Sequence, residues 1–561
     1  MNAEADASQR SKALAGSFPQ APWPLVATAA LVLLAGLAMT FVGAGQSGVS
    51  VDESGHVDRL NAFIDDGLYV RGSEWRGVKD GEIPPNAYVY APGTARVMHV
   101  VNQWAGNEVP GEASKSADAF AVRHYVIAAM SMIAIISVLG LAWLMLGSWQ
   151  WGVVAAASLV ALPMWTGHAM FNPKDTPVGV GYALMTFAMA GLIMSARLAG
   201  RRRLVAAAAA CVGMIFGIAL MVGTRPGIWP GALAALVIAI GFPVAARVLD
   251  RWTLAGLFAG LLVSYAALWT IYPRIFSDPA AMLKVSLGQS TAFPKGLAPS
   301  RSYVFERTAI EWPLLLLGFL VIGTAIAAWL CFRLLRTEPL RATVFALVGA
   351  HGFALTVAAI ISKANLYDGL RQLLFAVPAQ AALATVGIAA VIGVGRTKLM
   401  RSILVTTAVL ALALPTIVQA RLYPYQYAYG NVAAELAGAP ILDDTWKVSF
   451  REHIEEIPPN LKAICPNNPP LLGPIADAGS DCRGSYGVIK PHWLAYWHHE
   501  RYDPDALSFY TVLRSHRPVP PNCRVVQDVT RKRHLERVIM SRMLRCTTDY
   551  PGLRGHTGAS P

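Results

Sequence analysis

Charge is scarce in this chain. Only 14% of its 561 residues are Asp, Glu, Lys or Arg, while 55% are hydrophobic, which excludes an ordinary soluble chain. It also has no Walker loop, no GxSxG turn and no dinucleotide fingerprint, so no nucleotide cofactor is expected. No CxxC pair occurs, and the cysteines of the polar C-terminal region, Cys465, Cys482, Cys523 and Cys546, are spaced too widely and irregularly for zinc. An even number there suits two disulfides in an oxidising compartment, with three pairings open. Cys211 and Cys331 fall in apolar segments and read as packing residues. No repeat recurs at solenoid periods. The net charge of +13 comes without any nucleic-acid recognition module, so nucleic acid is not an expected partner.

What the chain does have is apolar stretches of about 20 residues, each enough to cross a hydrocarbon core of about 30 Å. Eleven spans are expected, near Pro24–Gly45, His124–Leu146, Trp149–Trp165, Val178–Ala196, Leu204–Gly223, Ile228–Val248, Leu254–Tyr272, Pro313–Leu335, Ala342–Ser362, Leu373–Gly395 and Ser402–Ala420. No convincing cleavage site follows the first, which reads as a retained anchor. Basic clusters mark alternate junctions, at Arg197/Arg201/Arg202/Arg203, Arg247/Arg251, Arg333/Arg336/Arg341 and Arg396/Lys398/Arg401, with Arg10 and Lys12 in the tail. Positive charge follows the cytoplasm, so a multi-pass protein of the plasma (inner) membrane is expected, its N-terminus cytoplasmic. The parts are then a tail (1–23), a membrane domain (24–420) with outer loops at 46–121 and 273–312, and an extracytoplasmic α/β domain (421–561). In the first loop Val97, Val100, Val101 and Trp104 recur with helical spacing, which suits a helix on the membrane surface or one packed on the bundle. The second loop carries Pro294-Lys295-Gly296 and Arg301-Ser302-Tyr303 and reads as a flap with a short helix.

Against this apolar background three polar clusters stand out, all on the expected outer side. Charged groups at membrane depth cost several kcal/mol unless paired or hydrated, so they mark candidate sites. Asp52-Glu53 follows the first span; a carboxylate at the mouth of a membrane cavity can take a proton from a hydroxyl acceptor, though a solvated acidic turn is the plain alternative. His168-Ala169-Met170-Phe171-Asn172-Pro173-Lys174-Asp175 is a turn stiffened by proline, with Gly167 admitting close approach of another element. Asp175 suits substrate or cation binding beside Asp52, or mere capping of the next helix. Lys174 is placed to neutralise a phosphate. Tyr367-Asp368-Gly369-Leu370-Arg371 offers a planar guanidinium fork for phosphate, as does Arg225, and simple ion pairing is again the alternative. His168, Asn172, Tyr367 and Asp368 are candidate substrate contacts; no His pair has metal-ligand spacing.

These motifs together resemble the GT-C superfamily of polyprenyl-phosphate-sugar-dependent glycosyltransferases, which includes protein O-mannosyltransferases, lipid A aminoarabinose transferases and rhizobial lipopolysaccharide transferases. The likeness covers about residues 25 to 430. It rests on an acid after the first span (Asp52-Glu53), a second acid in the next outer loop (Asp175), and Tyr367-Asp368-Gly369-Leu370-Arg371, where Gln372 stands in place of a common His. Tyr423-Pro424-Tyr425-Gln426-Tyr427 and the stretch from Asp444 to Glu452 also look like the segment after the last span in that group. The resemblance implies Asp52 as catalytic base, with Glu53 and Asp175 beside it, and a donor phosphate near Lys174, Arg225 or Arg371. It further implies a polyprenyl-phosphate sugar donor, an extracytoplasmic glycan, lipid or protein as acceptor, inversion at the anomeric carbon, and a divalent cation as an open possibility. A transporter or lipid flippase is the reading from another class.

Overall fold

In hydrocarbon, backbone N–H and C=O groups must be satisfied within their own segment, which forces apolar runs into helices. A computed structural model describes residues 18–291, 301–364, 366–456, 508–519 and 523–547. In chain order the helices are α1 (Trp23–Gln46), α2 (Glu53–Asp66), α3 (Gly93–Trp104), α4 (Ala117–Leu146), α5 (Trp149–Val160), α6 (Pro163–His168), α7 (Asp175–Ser195), α8 (Gly200–Val222), α9 (Trp229–Ala245) and α10 (Arg251–Ile271). There follow α11 (Pro273–Phe276), α12 (Pro279–Thr291), α13 (Tyr303–Glu311), α14 (Leu314–Leu334), α15 (Pro339–Ile361), α16 (Val377–Gly393), α17 (Lys398–Leu422), α18 (Val432–Leu436) and α19 (Phe450–Glu456).

Among the described residues ten helices are long and apolar enough to cross a membrane, and the chain is a multi-pass membrane protein. The expected third span is not among the ten because it is broken in two, although the chain must still cross there for Asp175 and Asp52 to meet at Arg371. Leu162-Pro163 divides it into α5, of 12 residues, and α6, and 12 helical residues reach only about 18 Å. At the break the Val160 carbonyl accepts from Thr166 Oγ1 (2.9 Å) and from Gln419 Nε2 on α17 (3.1 Å). The freed backbone is thus served by neighbours, as a broken helix in an apolar bundle requires.

Two spans form the centre. The apolar windows of α7 and of Arg371–Gly393 are 78% and 83% buried, against 22% to 56% for the other eight. Both begin at the polar clusters, so the most buried spans carry the candidate residues on their ends. Gly167 behaves as its sequence position suggests, because a Cβ there would run into the backbone of Gln426 and Tyr427.

In the first outer loop α3 turns Val97, Val100 and Trp104 outward and buries His99 and Asn102, an arrangement that presents its apolar stripe away from the protein. His99 and Arg123 both pair with the buried Glu108. The second loop contains α11, α12 and α13; Pro294-Lys295-Gly296 lies outside the described residues.

The C-terminal region adds α18, α19 and a three-stranded antiparallel sheet, β1 (Ser508–Arg514), β2 (Cys523–Lys532) and β3 (Arg537–Thr547), in the order β1-β3-β2. Cys523 faces Cys546 across the β2–β3 ladder and is disulfide-bonded. Cys465, Cys482 and the side chain of Cys546 lie outside the described parts.

Candidate active site

Three separate loops converge on one guanidinium. Arg371 Nη1 stands 3.6 Å from Asp52 Oδ2 and 3.7 Å from Asp175 Oδ2, and its Nη2 donates to Asp368 Oδ2 at 3.2 Å. Asp52 occupies the N-cap position of α2; its Oδ2 also accepts from Lys174 Nζ at 2.6 Å. Asp175 opens α7, where a carboxylate meets the positive end of the helix. Asn172 fixes it there, donating to Asp175 Oδ2 (3.1 Å) and accepting from the backbone N–H of Lys174 (3.2 Å) and Asp175 (2.9 Å). Arg225 Nη1 closes the far side, 3.2 Å from Asp175 Oδ1.

The loop bearing Arg371 is held in a shape few sequences adopt. Asp368 and Gly369 take φ of 54° and 75°, and a Cβ at Gly369 would lie 2.5 Å from Glu311 Oε1. From α13, Tyr303 Oη accepts from Gly369 N–H (3.0 Å) and Glu311 Oε2 accepts from Leu370 N–H (3.1 Å).

Asp52 is one of two open members of the cluster, the other being Asp368, 33% exposed. The Asp52 side chain is 34% exposed, while those of Lys174, Asp175 and Arg371 are 8%, 2% and 4% exposed. Burial works to raise the Asp52 carboxyl, but Lys174 and Arg371 outweigh burial and hold it well below the usual carboxylate range. Burial would pull the Lys174 ammonium down, and the Asp52 carboxylate reverses this and holds it up. Arg371 is buried with Nε and Nη1 lacking hydrogen-bond partners. Unserved donors on a buried cation are costly, and here Nη1 is compensated only by the ion-pair distances to Asp52 and Asp175.

Glu53, expected beside Asp52, lies elsewhere. Its Oε1 is 2.8 Å from His124 Nε2 and its Oε2 accepts from Ser50 N–H at 2.6 Å, and the residue is buried. One step along a helix turns a side chain by about 100°, enough to send neighbouring acids to different surroundings. His168 sits one layer behind the charges, with Nδ1 3.3 Å from Asn172 Nδ2 and its ring edge-on to Trp446. Tyr367 lies under Arg371, with the guanidinium 4.9 Å from its ring centroid. Gln372 Oε1 accepts from Tyr367 N–H at 3.3 Å.

Sequence reasoning missed two aromatics. Tyr90, from the first loop, lies 5.6 Å from Lys174 Nζ, and nothing in the sequence around it signals this. Trp446 covers Arg371 with its centroid 4.2 Å from the guanidinium carbon; it falls within the stretch from Asp444 to Glu452 that the resemblance had marked.

Beside the cluster is a cavity of about 590 Å³. Tyr90, Arg225, Tyr367 and Gln372 line its polar part; Leu233 on α9 and Leu355 on α15 belong to the apolar wall.

No family model and no curated protein matches the chain. Among solved structures it is similar to ArnT from Cupriavidus metallidurans bound to undecaprenyl phosphate, at 12% identity and a TM-score of 0.45, over 95% of this chain and 99% of that one. The apo state of the same protein gives 14% identity and a TM-score of 0.47, over 95% and 98%. An Archaeoglobus fulgidus oligosaccharyltransferase, solved in complex with Zn and sulfate, gives 14% and 0.42, over 77% of this chain and 55% of that one.

Proposed function

We propose that this chain is a GT-C membrane glycosyltransferase that moves a sugar from a polyprenyl-phosphate donor to an extracytoplasmic acceptor, with Asp52 as base. The observation that carries this reading is a guanidinium with unserved donors, held between two carboxylates, next to a largely apolar cavity. A phosphate on an apolar tail fits both features, with the head on Arg371, Lys174 and Arg225 and the tail along α9 and α15. In the plasma membrane, the basic junctions would face the cytoplasm and the site the outside.

The chemistry follows from these positions. Asp52 takes the proton of an acceptor hydroxyl, whose oxygen attacks the anomeric carbon from the face opposite the phosphate. The bond from that carbon to the phosphate oxygen breaks, and the polyprenyl phosphate leaves with its electron pair, its charge met by fixed cations rather than by a general acid. An incoming phosphate competes for Lys174, which otherwise holds Asp52 at 2.6 Å. Donor binding then frees the carboxylate and raises its affinity for a proton.

A divalent cation between Asp52 and Asp175 does not fit the residues present. Both carboxylates are already faced by Lys174, Arg225 or Arg371, and among the described residues no three His, Cys, Asp or Glu converge as ligands.

The test is transfer from radiolabelled polyprenyl-phosphate sugars to an envelope acceptor fraction by purified protein. Label should move with wild type and fail to move with Asp52→Asn, while the variant still folds and binds polyprenyl phosphate. A folded wild type that carries lipid across vesicles without transferring sugar would instead establish the flippase.

A further inference from the structure

Arg371 is held in place more by rings than by hydrogen bonds. Only Nη2 has a close hydrogen-bond partner, Asp368, and the two carboxylates stand beyond 3.5 Å. Its guanidinium carbon lies 4.9 Å from the ring centroid of Tyr367, on its own loop, and 4.2 Å from that of Trp446, from the C-terminal region. Trp446 is itself boxed in, with His168 and Phe171 at centroid distances of 5.6 and 5.9 Å.

The same residue reaches the other half of the site through its backbone. The Trp446 carbonyl accepts from Val51 N–H at 3.1 Å, immediately before Asp52. The loop around it is braced at several points. Asp444 accepts from Val448 N–H (3.1 Å), Ser449 N–H (2.7 Å) and Tyr427 Oη (2.6 Å), and Lys447 takes a φ of 63°. Arg451 Nη1 donates to the carbonyls of Gly45 (2.7 Å) and Ser47 (3.2 Å) at the end of α1. The C-terminal region thus does more than cover the membrane domain. It lays a strap from the first span across the Asp52 turn to Arg371.

We propose that Trp446 is a positioning residue which sets the phosphate-binding plane of Arg371 and the Asp52 turn in one register. The inference rests on the glycosyltransferase reading, since the anion it serves is the donor phosphate. Without the indole face, Arg371 is free to rotate toward Asp52 or Asp368, and its free donors no longer meet the phosphate together. A stacked, partly desolvated cation of this kind is worth roughly 3- to 30-fold in affinity.

The experiment is a double-mutant cycle on binding of undecaprenyl phosphate to the full chain in detergent, with Trp446→Leu, Arg371→Gln and the pair, and with Trp446→Phe as the conservative control. Melting temperatures are measured alongside. Trp446→Leu should weaken binding by roughly 3- to 30-fold, Trp446→Phe should recover most of that, and the leucine change should cost less than about twofold once Arg371 is glutamine. Equal penalties in both backgrounds, or losses that follow the melting temperature alone, overturn the positioning role while leaving the glycosyltransferase reading intact. A folded wild type that binds no polyprenyl phosphate overturns both.

Discussion

Two charged networks begin one residue apart at the start of α2, and they are finished in opposite ways. The Glu53 network is closed. Both carboxylate oxygens are served, by His124 and Ser50 N–H, and the remaining His124 nitrogen lies 3.1 Å from the Ala44 carbonyl. The Asp52 network is open, with a carboxylate one-third exposed and an arginine whose Nε and Nη1 have no hydrogen-bond partner. A buried polar network serves the fold when every member is satisfied, and the Asp52 network departs from that at Arg371 Nε and Nη1.

Breaking each network in turn gives the largest expected contrast. Asp52→Asn should lower kcat by about 10²- to 10⁴-fold, the usual contribution of a general base, with little change in melting temperature. Glu53→Gln should do the reverse, costing about 1–3 kcal/mol of stability while the rate per folded molecule changes by less than a few-fold. Comparable losses of rate in both variants would erase the distinction between the networks.

A smaller effect lies in the pH profile. The free protein holds the Asp52 carboxyl below the ordinary range through Lys174 and Arg371, against the pull of burial. A depressed carboxyl stays ionised as pH falls, so the acid limb of kcat/KM, which reports the free protein, should lie below the pKa of about 4 of an unperturbed aspartate. If the donor phosphate takes Lys174 away, the limb of kcat should lie higher than that of kcat/KM. Coincident limbs would mean that Lys174 stays on Asp52 throughout the reaction.

How far the sequence leads to this comparison depends on the kind of force involved. The spans and the common face of Asp52, Asp175, Arg225 and Arg371 are legible because apolar length and basic junctions act locally along the chain. The break at Leu162-Pro163 was half legible: the third span reads as short, but the partnership of Val160 with Gln419 is a tertiary fact. The parting of Asp52 from Glu53 was not legible, because which of two adjacent acids meets Lys174 and Arg371 depends on the rotation of α2 against α4. Nor was Trp446, whose arrival over Arg371 depends on a loop folding back from beyond the last span, where no periodicity operates.

The smallest effect concerns Glu311, whose place beneath the Arg371 loop was equally hidden. Burial raises its carboxyl to about 7, although Leu370 N–H and Arg307 work to lower it. A group whose folded pKa exceeds its unfolded one stabilises the fold fully at low pH and loses that contribution as pH rises through the folded value. Wild type should therefore melt lower at pH 8 than at pH 6, with a total contribution of at most about 3 kcal/mol. Glu311→Gln keeps an acceptor for Leu370 N–H and removes the ionisation, so this part of the pH dependence should flatten. Glu311 thereby extends the comparison to a third case, a carboxyl with one oxygen on Leu370 N–H at 3.1 Å and the other without a hydrogen-bond partner. It lies between the closed network and the open one, and ionising it would load charge onto the loop that carries Arg371. An unchanged pH dependence in the glutamine variant would place the titration elsewhere and leave the Arg371 loop indifferent to it.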